Sequence, residues 1–270
     1  MKENKSIIIS TTSDIGKELA YDWQKKGDSV VGTYRTENDN FKNLKNKEID
    51  LQYLDLLDKS SIQNSMKYIC KNYNNWDKLV ICPATQDPIG RFEKINFDDW
   101  EESIILNFTS QMRILHNLLP YRNKQTMPSV IFFAGGGTNG ATVNYSAYTI
   151  SKIASIKFTE LLDAEIDDVK FIIYGPGWVK TKIHQSTLNN PFSSEDNYQT
   201  TIDKLNSNEC TPMKDIIDSI NWGIDSEKDI IGGRNISVVF DKWGTKKLEE
   251  ALAENKSMYK LRRSGNDWGK

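Results

Sequence analysis

Short apolar runs of β-forming residues alternate with amphipathic helical stretches along most of the 270 residues, and this alternation restricts the fold more than any other feature. SIIIS at 6–10 reads as a strand, because an unbroken apolar run suits a strand covered on both faces. Residues 16–26 read as a helix, with Ile15, Leu19 and Trp23 recurring every fourth position on one face. DSVVGT at 28–33 is a second strand, and 49–56 carries a third. A helix then opens at Ser60 and Ser61, whose hydroxyls can cap free N–H groups. KLVIC (78–82), SVIFFA (129–134), VKFIIY (169–174) and ISVVF (236–240) read as strands four to seven. Helices are expected over 100–119, with Pro120 just beyond, and over 145–166. Parallel strands need crossovers, which are right-handed and put helices on both sheet faces. The expected fold is α/β, a doubly wound parallel sheet of about seven strands.

Two segments break the rhythm. Residues 184–213 are polar and rich in Asn and Ser. A long structureless run is uncommon inside a compact domain and often covers a site, so a substrate lid is expected there. Residues 245–263 read as a charged, solvated helix without a clear apolar face, the start of a helical tail over 245–270. The whole of 1–270 is read as one domain.

Composition excludes several roles. Charge nearly cancels, 35 basic against 37 acidic residues, and no basic stretch marks a nucleic-acid partner. No apolar run approaches the roughly 20 residues of a membrane helix. The first strand begins too early for a signal peptide, so a cytoplasmic location is expected. Cys70, Cys82 and Cys210 form no zinc pattern and no disulfide framework, and with only His116 and His184 no metal site is expected.

Ligands of open α/β sheets sit beyond the C-terminal strand ends. Strand one runs into STTSDIG at 10–16 and then a helix, whose N-terminal N–H groups and dipole suit phosphate. Ser10, Thr12, Ser13, Asp14, Ile15 and Gly16 are therefore candidates to hold a dinucleotide. Only Gly16 remains of the glycines usual in such a turn, and an ordinary strand–turn–helix gives the same pattern. Strand two ends in Thr33-Tyr34-Arg35. An acid there would bind a ribose 2′-hydroxyl, whereas an arginine suits a 2′-phosphate. Tyr34 and Arg35 thus favour NADP(H) over NAD(H), the other reading being that Arg35 is a solvated charge.

Tyr148 and Lys152 form a YxxxK motif, a phenol and an ammonium one turn apart on a helix face. A free tyrosine titrates near ~10. A nearby ammonium is expected to lower that value and yield an acid able to protonate a carbonyl oxygen. With the first turn, this motif makes the chain resemble the short-chain dehydrogenase/reductase family from strand one to about Thr181. The resemblance implies a Rossmann-type fold, with Tyr148 and Lys152 as proton-transfer pair that also contacts the cofactor. It implies that Asn107 in ILNFTS supports a proton-relay water and that Asp55 and Leu56 lie at the adenine. It puts Pro83 and Ala84 in the cofactor loop after strand four. Pro176, Gly177, Val179 and Thr181, in GPGWVKT, would hold the nicotinamide carboxamide.

The departures are specific. Ser10 and Asp14 replace two glycines, and Asp14 brings negative charge to the pyrophosphate unless its side chain turns away. Ile81-Cys82-Pro83-Ala84 stands where the family commonly has NNAG. Gly135 stands at the position of the family's serine and has no hydroxyl, although glycine lets backbone N–H groups approach a substrate oxygen. Thr138 is the nearest hydroxyl that could substitute, and Ser146 is a second candidate.

The substrate is expected between 135–145 and the lid, among Thr138, Asn139, Asn144, Tyr145 and Gln185, a set too polar for a steroid or acyl chain. Arg91, Lys180, Lys182 and His184 could together hold a phosphate, or simply face solvent. GGGTNGATVNYSAYTISK and GPGWVKTKIH also resemble reductases of bacterial surface-polysaccharide biosynthesis. That likeness implies a small-molecule carbonyl substrate: a keto-sugar, a sugar phosphate reduced to a polyol phosphate, or a nucleotide-sugar. A nucleotide-sugar epimerase or dehydratase with retained NAD is one alternative, although little chain follows Thr181 to build its second domain. A non-catalytic NADP-binding sensor is another, motivated by Gly135. The family resemblance also implies a homodimer or homotetramer.

Overall fold

The structure, a computed structural model, describes residues 3–264; the end of the expected tail, 265–270, lies outside the described residues. Its strands are β1 (Lys5–Ile9), β2 (Ser29–Tyr34), β3 (Asp50–Tyr53), β4 (Lys78–Ile81), β5 (Ser129–Phe133), β6 (Lys170–Gly175) and β7 (Asn235–Ser237). They form one parallel sheet in the order β3-β2-β1-β4-β5-β6-β7. The helices are α1 (Asp14–Lys25), α2 (Asp39–Asn46), α3 (Lys59–Asn72), α4 (Phe97–Ile104), α5 (Ser110–Leu118), α6 (Ser146–Glu165), α7 (Gln185–Asn189), α8 (Pro191–Ser194), α9 (Asp196–Asn206), α10 (Met213–Asp225), α11 (Lys228–Ile231) and α12 (Lys246–Glu254).

The central strands β1, β4, β5 and β6 carry apolar runs because successive side chains enter two different cores. Ile7, Ile9, Leu79, Ile81, Val130 and Phe132 meet α3, α5 and α6 through Ile62, Met66, Ile114, Leu118 and Ile156. Ile8, Val80, Ile131, Phe133 and Ile172 meet α1 and α10 through Leu19, Trp23, Ile216 and Ile220. Burying both sheet faces in this way is the main force holding the strand ends, and the loops beyond them, in place.

Several elements differ from the sequence reading. The stretch 100–119 is not a single helix: α4 passes through a π turn at Ile105–Thr109 before α5. Asn107 sits in that turn, fully buried. Its amide accepts from the Thr85 N–H and donates to the Thr85 carbonyl and to Ser103 Oγ. Bonds from a helix side chain to a neighbouring loop are a local reason for the ladder to widen. α3 is capped by the carboxylate of Asp58, not by Ser60 or Ser61; Ser61 Oγ instead accepts from the Asp55 N–H. β7 is shorter than 236–240, and Val239 and Phe240 lie exposed beyond it. α12 has an apolar face after all: Leu248 and Leu252, one turn apart, are buried, and it packs beside α11.

The lid is also not structureless. α7, α8 and α9 fill most of 184–213. They form without a broad apolar stripe, aided by side-chain pairs one turn apart, Gln185 with Asn189 and Gln199 with Asp203. No helix among the described residues is long and apolar enough to cross a membrane.

Candidate active site

The order of the sheet reverses at β1, so the C-terminal ends of β1 and β4 open on a crevice. It is a cleft of about 700 Å³, lined by Ser10, Thr12, Tyr34, Arg35, Leu56, Pro83 and Ala84 among others. Asp55 is not in its wall; the Asp55 carboxylate accepts from the Leu57 N–H. Ser10 takes the place of a glycine at φ 63°, a left-handed conformation, and its N–H donates to Thr33 Oγ1 at 2.8 Å. Ser13 caps α1 by accepting from the Gly16 N–H at 3.2 Å. A Cβ on Gly16 would fall 2.7 Å from the Ser10 carbonyl oxygen, so a glycine is needed for α1 to start this close to β1. A helix N-terminus beside a cleft with an arginine on its far rim fits a dinucleotide.

Asp14 and Ile15 open α1. The Asp14 carboxylate accepts from the Lys182 N–H at 3.1 Å and from Asn40 Nδ2 at 3.3 Å. Its charge is therefore turned toward the segment after β6. In that segment Pro176 is half-buried, Gly177 has φ 76° and Val179 is buried. Thr181 Oγ1 donates to the Val179 carbonyl at 3.4 Å.

α6 brings Tyr148 and Lys152 onto one face in its first two turns. Lys152 is 4% exposed, and its Nζ donates to the Phe133 carbonyl at 3.0 Å. That Nζ is 5.7 Å from the centre of the Tyr148 ring. The expected lowering of the phenol is not what this arrangement gives: burial pushes Tyr148 up to about 12 and pulls Lys152 down to about 8. At that separation, loss of water outweighs the attraction between the two groups. The Cys82 thiol is a third buried group here, pushed up to about 12 by burial, with Ser13 and Lys152 acting against that shift. The sequence reading did not place it beside Lys152.

The hydroxyls considered as substitutes for a serine are engaged. Thr138 Oγ1 turns back to the Gly135 carbonyl at 3.5 Å. Ser146 Oγ accepts from Trp100 Nε1 at 3.0 Å. A Cβ on Gly135 would lie only 2.4 Å from Tyr148 Oη.

The lid closes over this region through polar contacts. Tyr145 Oη is 2.9 Å from Thr187 Oγ1, which donates to Gln86 Oε1 at 3.0 Å. Ser186 donates to Asp87, and Asn144 Nδ2 to the Ser193 carbonyl. Gln86 and Thr187 were not singled out from sequence, because nothing local marks a hydroxyl that bonds a hundred residues away. The expected phosphate cluster is not assembled. His184 is buried, stacks on Trp178 at 4.9 Å and bonds the Val179 carbonyl, and burial holds its imidazole below the usual value. Arg91 pairs with Glu195 at 3.4 Å, while Lys180 and Lys182 are exposed.

Residues 5–191 match the family model described as short chain dehydrogenase. The chain belongs to the short chain dehydrogenase family. Members of this family bind NAD(P), and the chain is an NAD(P)-dependent oxidoreductase. It is 27% identical over 191 residues to an uncharacterized oxidoreductase of Saccharomyces cerevisiae, covering 68% of this chain and 74% of the yeast protein. The crystal structure of that yeast protein superposes with a TM-score of 0.79, covering 93% of this chain and 98% of the yeast chain at 22% identity. An actinorhodin polyketide ketoreductase solved with NADPH gives a TM-score of 0.75 at 18% identity, covering 87% and 95% of the two chains. An 11-beta-hydroxysteroid dehydrogenase A of Sesamum indicum is 22% identical over 192 residues, 68% of this short chain dehydrogenase and 55% of the plant protein.

Proposed function

We propose that the protein is an NADP(H)-dependent reductase acting on the carbonyl of a hydroxyl-bearing substrate: a keto-sugar, or its phosphate or nucleotide-linked form. The observation that carries the cofactor reading is Arg35. It lies in the cleft wall at the end of β2, with no carboxylate partner among the described residues. A free guanidinium there favours a 2′-phosphate by charge-assisted hydrogen bonds, and no acid stands beside it in the strand to bind a bare ribose.

In this reading Ser10, Thr12, Ser13, Ile15 and Gly16 hold the pyrophosphate. Pro83 and Ala84, with Pro176, Gly177, Val179 and Thr181, flank the nicotinamide. When bound, the dinucleotide supplies hydride. Tyr148 gives the proton to the carbonyl oxygen, Lys152 provides charge beside it, and Asn107 fixes the loop at Thr85. The lid covers the substrate. Its polar contacts at Gln86, Tyr145 and Thr187 suit a hydroxyl-rich molecule better than a steroid or polyketide, and Lys180 and Lys182 are the cations left for a phosphate. The chain is read as one unit that assembles as a homodimer or homotetramer. Gly135 motivates a second reading, an NADP-binding sensor without turnover.

The test follows reduced-nicotinamide absorbance with a panel of keto-sugars, their phosphates, nucleotide-sugars, a steroid ketone and a polyketide-like ketone. One sugar-type ketone should be reduced, NADPH should outperform NADH by tenfold or more, about 1.4 kcal/mol, and Arg35→Asp should remove that preference. Tyr148→Phe should abolish turnover. Equal use of NADH overturns the role of Arg35. NADPH binding without turnover of any ketone favours the sensor.

A further inference from the structure

The proton-transfer pair lies against a turn of three glycines, which themselves offer backbone groups and no hydroxyl. After β5 the chain runs Gly135-Gly136-Gly137-Thr138. The N–H groups of the three glycines make no hydrogen bond among the described residues. Gly137, at φ 93°, closes a tight turn in a conformation glycine enters without strain. The turn rests on α6: a Cβ on Gly137 would fall 2.5 Å from Thr149 Cγ2, and one on Gly135 would fall 2.4 Å from Tyr148 Oη. The phenol oxygen thus lies against the bare Cα of Gly135, in the space a serine side chain would need.

We propose that this glycine turn binds the substrate's reacting oxygen through its backbone N–H groups, next to Tyr148 Oη, and that neither Thr138 nor Ser146 shares the task. The inference deepens the reductase reading and rests on it. Two facts favour backbone over side chain. The Thr138 hydroxyl is turned back toward the Gly135 carbonyl, and Ser146 is held by Trp100 from α4. Unpaired N–H groups at a fixed turn can stabilise charge developing on a carbonyl oxygen without reorganising. The second consequence is steric. A Cβ at 135 would meet the end of the Tyr148 side chain, so the tyrosine that delivers the proton must shift to admit one.

Four variants of the full chain test this, assayed with the best ketone from the panel and by NADPH titration. Gly136→Ala adds a Cβ whose nearest neighbour is 3.9 Å away, and it keeps the N–H. Relative to this variant, Gly136→Pro, which removes the N–H, should lose about 10²-fold in kcat with NADPH affinity unchanged. Thr138→Val should stay within about threefold of wild type. Gly135→Ser should lower kcat by about 10²-fold rather than raise it. A Gly136→Pro enzyme as fast as Gly136→Ala, a comparable loss in Thr138→Val, or a gain in Gly135→Ser overturns the proposal. One readout needs no turnover: the ¹³Cζ NMR signal of Tyr148 should move in Gly135→Ala, and an unmoved signal overturns the steric half. Wild-type protein that binds NADPH and reduces no ketone overturns the parent reading instead, so the two failures are distinguishable.

Discussion

Lys152 is buried beneath the end of β5, with one carbonyl, that of Phe133, as its hydrogen-bond partner, so removal from water governs its charge. Its proton is lost as pH rises through about 8, well below the ordinary 10.5. In the proposed reduction the charged lysine stands beside the phenol, so kcat for ketone reduction should fall with a midpoint near pH 8. A pH profile flat to about 10, the ordinary tyrosine value, would show that Lys152 keeps its proton. The same shifts act on stability with opposite signs. Between about 8 and 10.5 the unfolded chain holds the Lys152 proton longer than the folded one, so this group's contribution to stability rises with pH. Between 10.0 and about 12 the folded chain holds the Tyr148 proton longer, and that contribution falls. Residue identity singled out Tyr148, Lys152, Arg35 and Asn107 as candidates, because each proposed chemistry needs its own side chain. It did not reveal direction. His184 and Arg91 have the charge a phosphate site wants, yet one is stacked under Trp178 and the other is paired with Glu195.

Among the elements, the central strands β1, β4, β5 and β6 were the most legible, because burial on both faces imposes runs such as Ile7–Ile9, Leu79–Ile81 and Val130–Phe133. α2 and the lid helices were not, since a mostly polar helix on the surface has no stripe to read. The π turn was illegible for another reason: its register depends on Thr85, twenty-two residues before Asn107 in the chain. α12 hid its face because two leucines among charges suffice when a buried cation secures the helix end. The Arg234 guanidinium is 1% exposed and donates to the carbonyls of Leu252, Asn255 and Met258. Lys228 does the same for α6, donating to the carbonyls of Asp163, Ile166 and Val169. Cations at helix C-termini satisfy orphan carbonyls and oppose the dipole. Arg234→Met keeps the volume but leaves three carbonyls unpaired, and should cost about 3 kcal/mol, read from the denaturant midpoint. An unchanged midpoint would mean that water replaces the guanidinium.

Across the whole molecule, the lid is tied to the sheet at both ends and in the middle. The Lys182 N–H bonds Asp14 at the start of α1, and the Thr211 N–H bonds the Trp178 carbonyl at 2.6 Å. Between these anchors Thr187, 2% exposed, bridges Tyr145 before α6 and Gln86 after β4, alongside the Ser186–Asp87, Asn144–Ser193 and Arg91–Glu195 contacts. Such ties are cheap to break one at a time, about 1 kcal/mol each, which suits a cover that must admit and release a substrate. Thr187→Val removes both side-chain hydrogen bonds of this residue and keeps the side-chain shape. It should leave global stability within about 2 kcal/mol while proteolysis within 185–206 becomes several-fold faster. Because closure is then less favourable, KM for the ketone should rise more than kcat falls, and NADPH affinity should hold, since the cleft wall at Ser10, Tyr34 and Arg35 is untouched. If proteolysis of the lid is no faster in Thr187→Val, the end anchors and the Ser186–Asp87, Asn144–Ser193 and Arg91–Glu195 contacts hold the segment without Thr187, and the proposed opening does not turn on this residue.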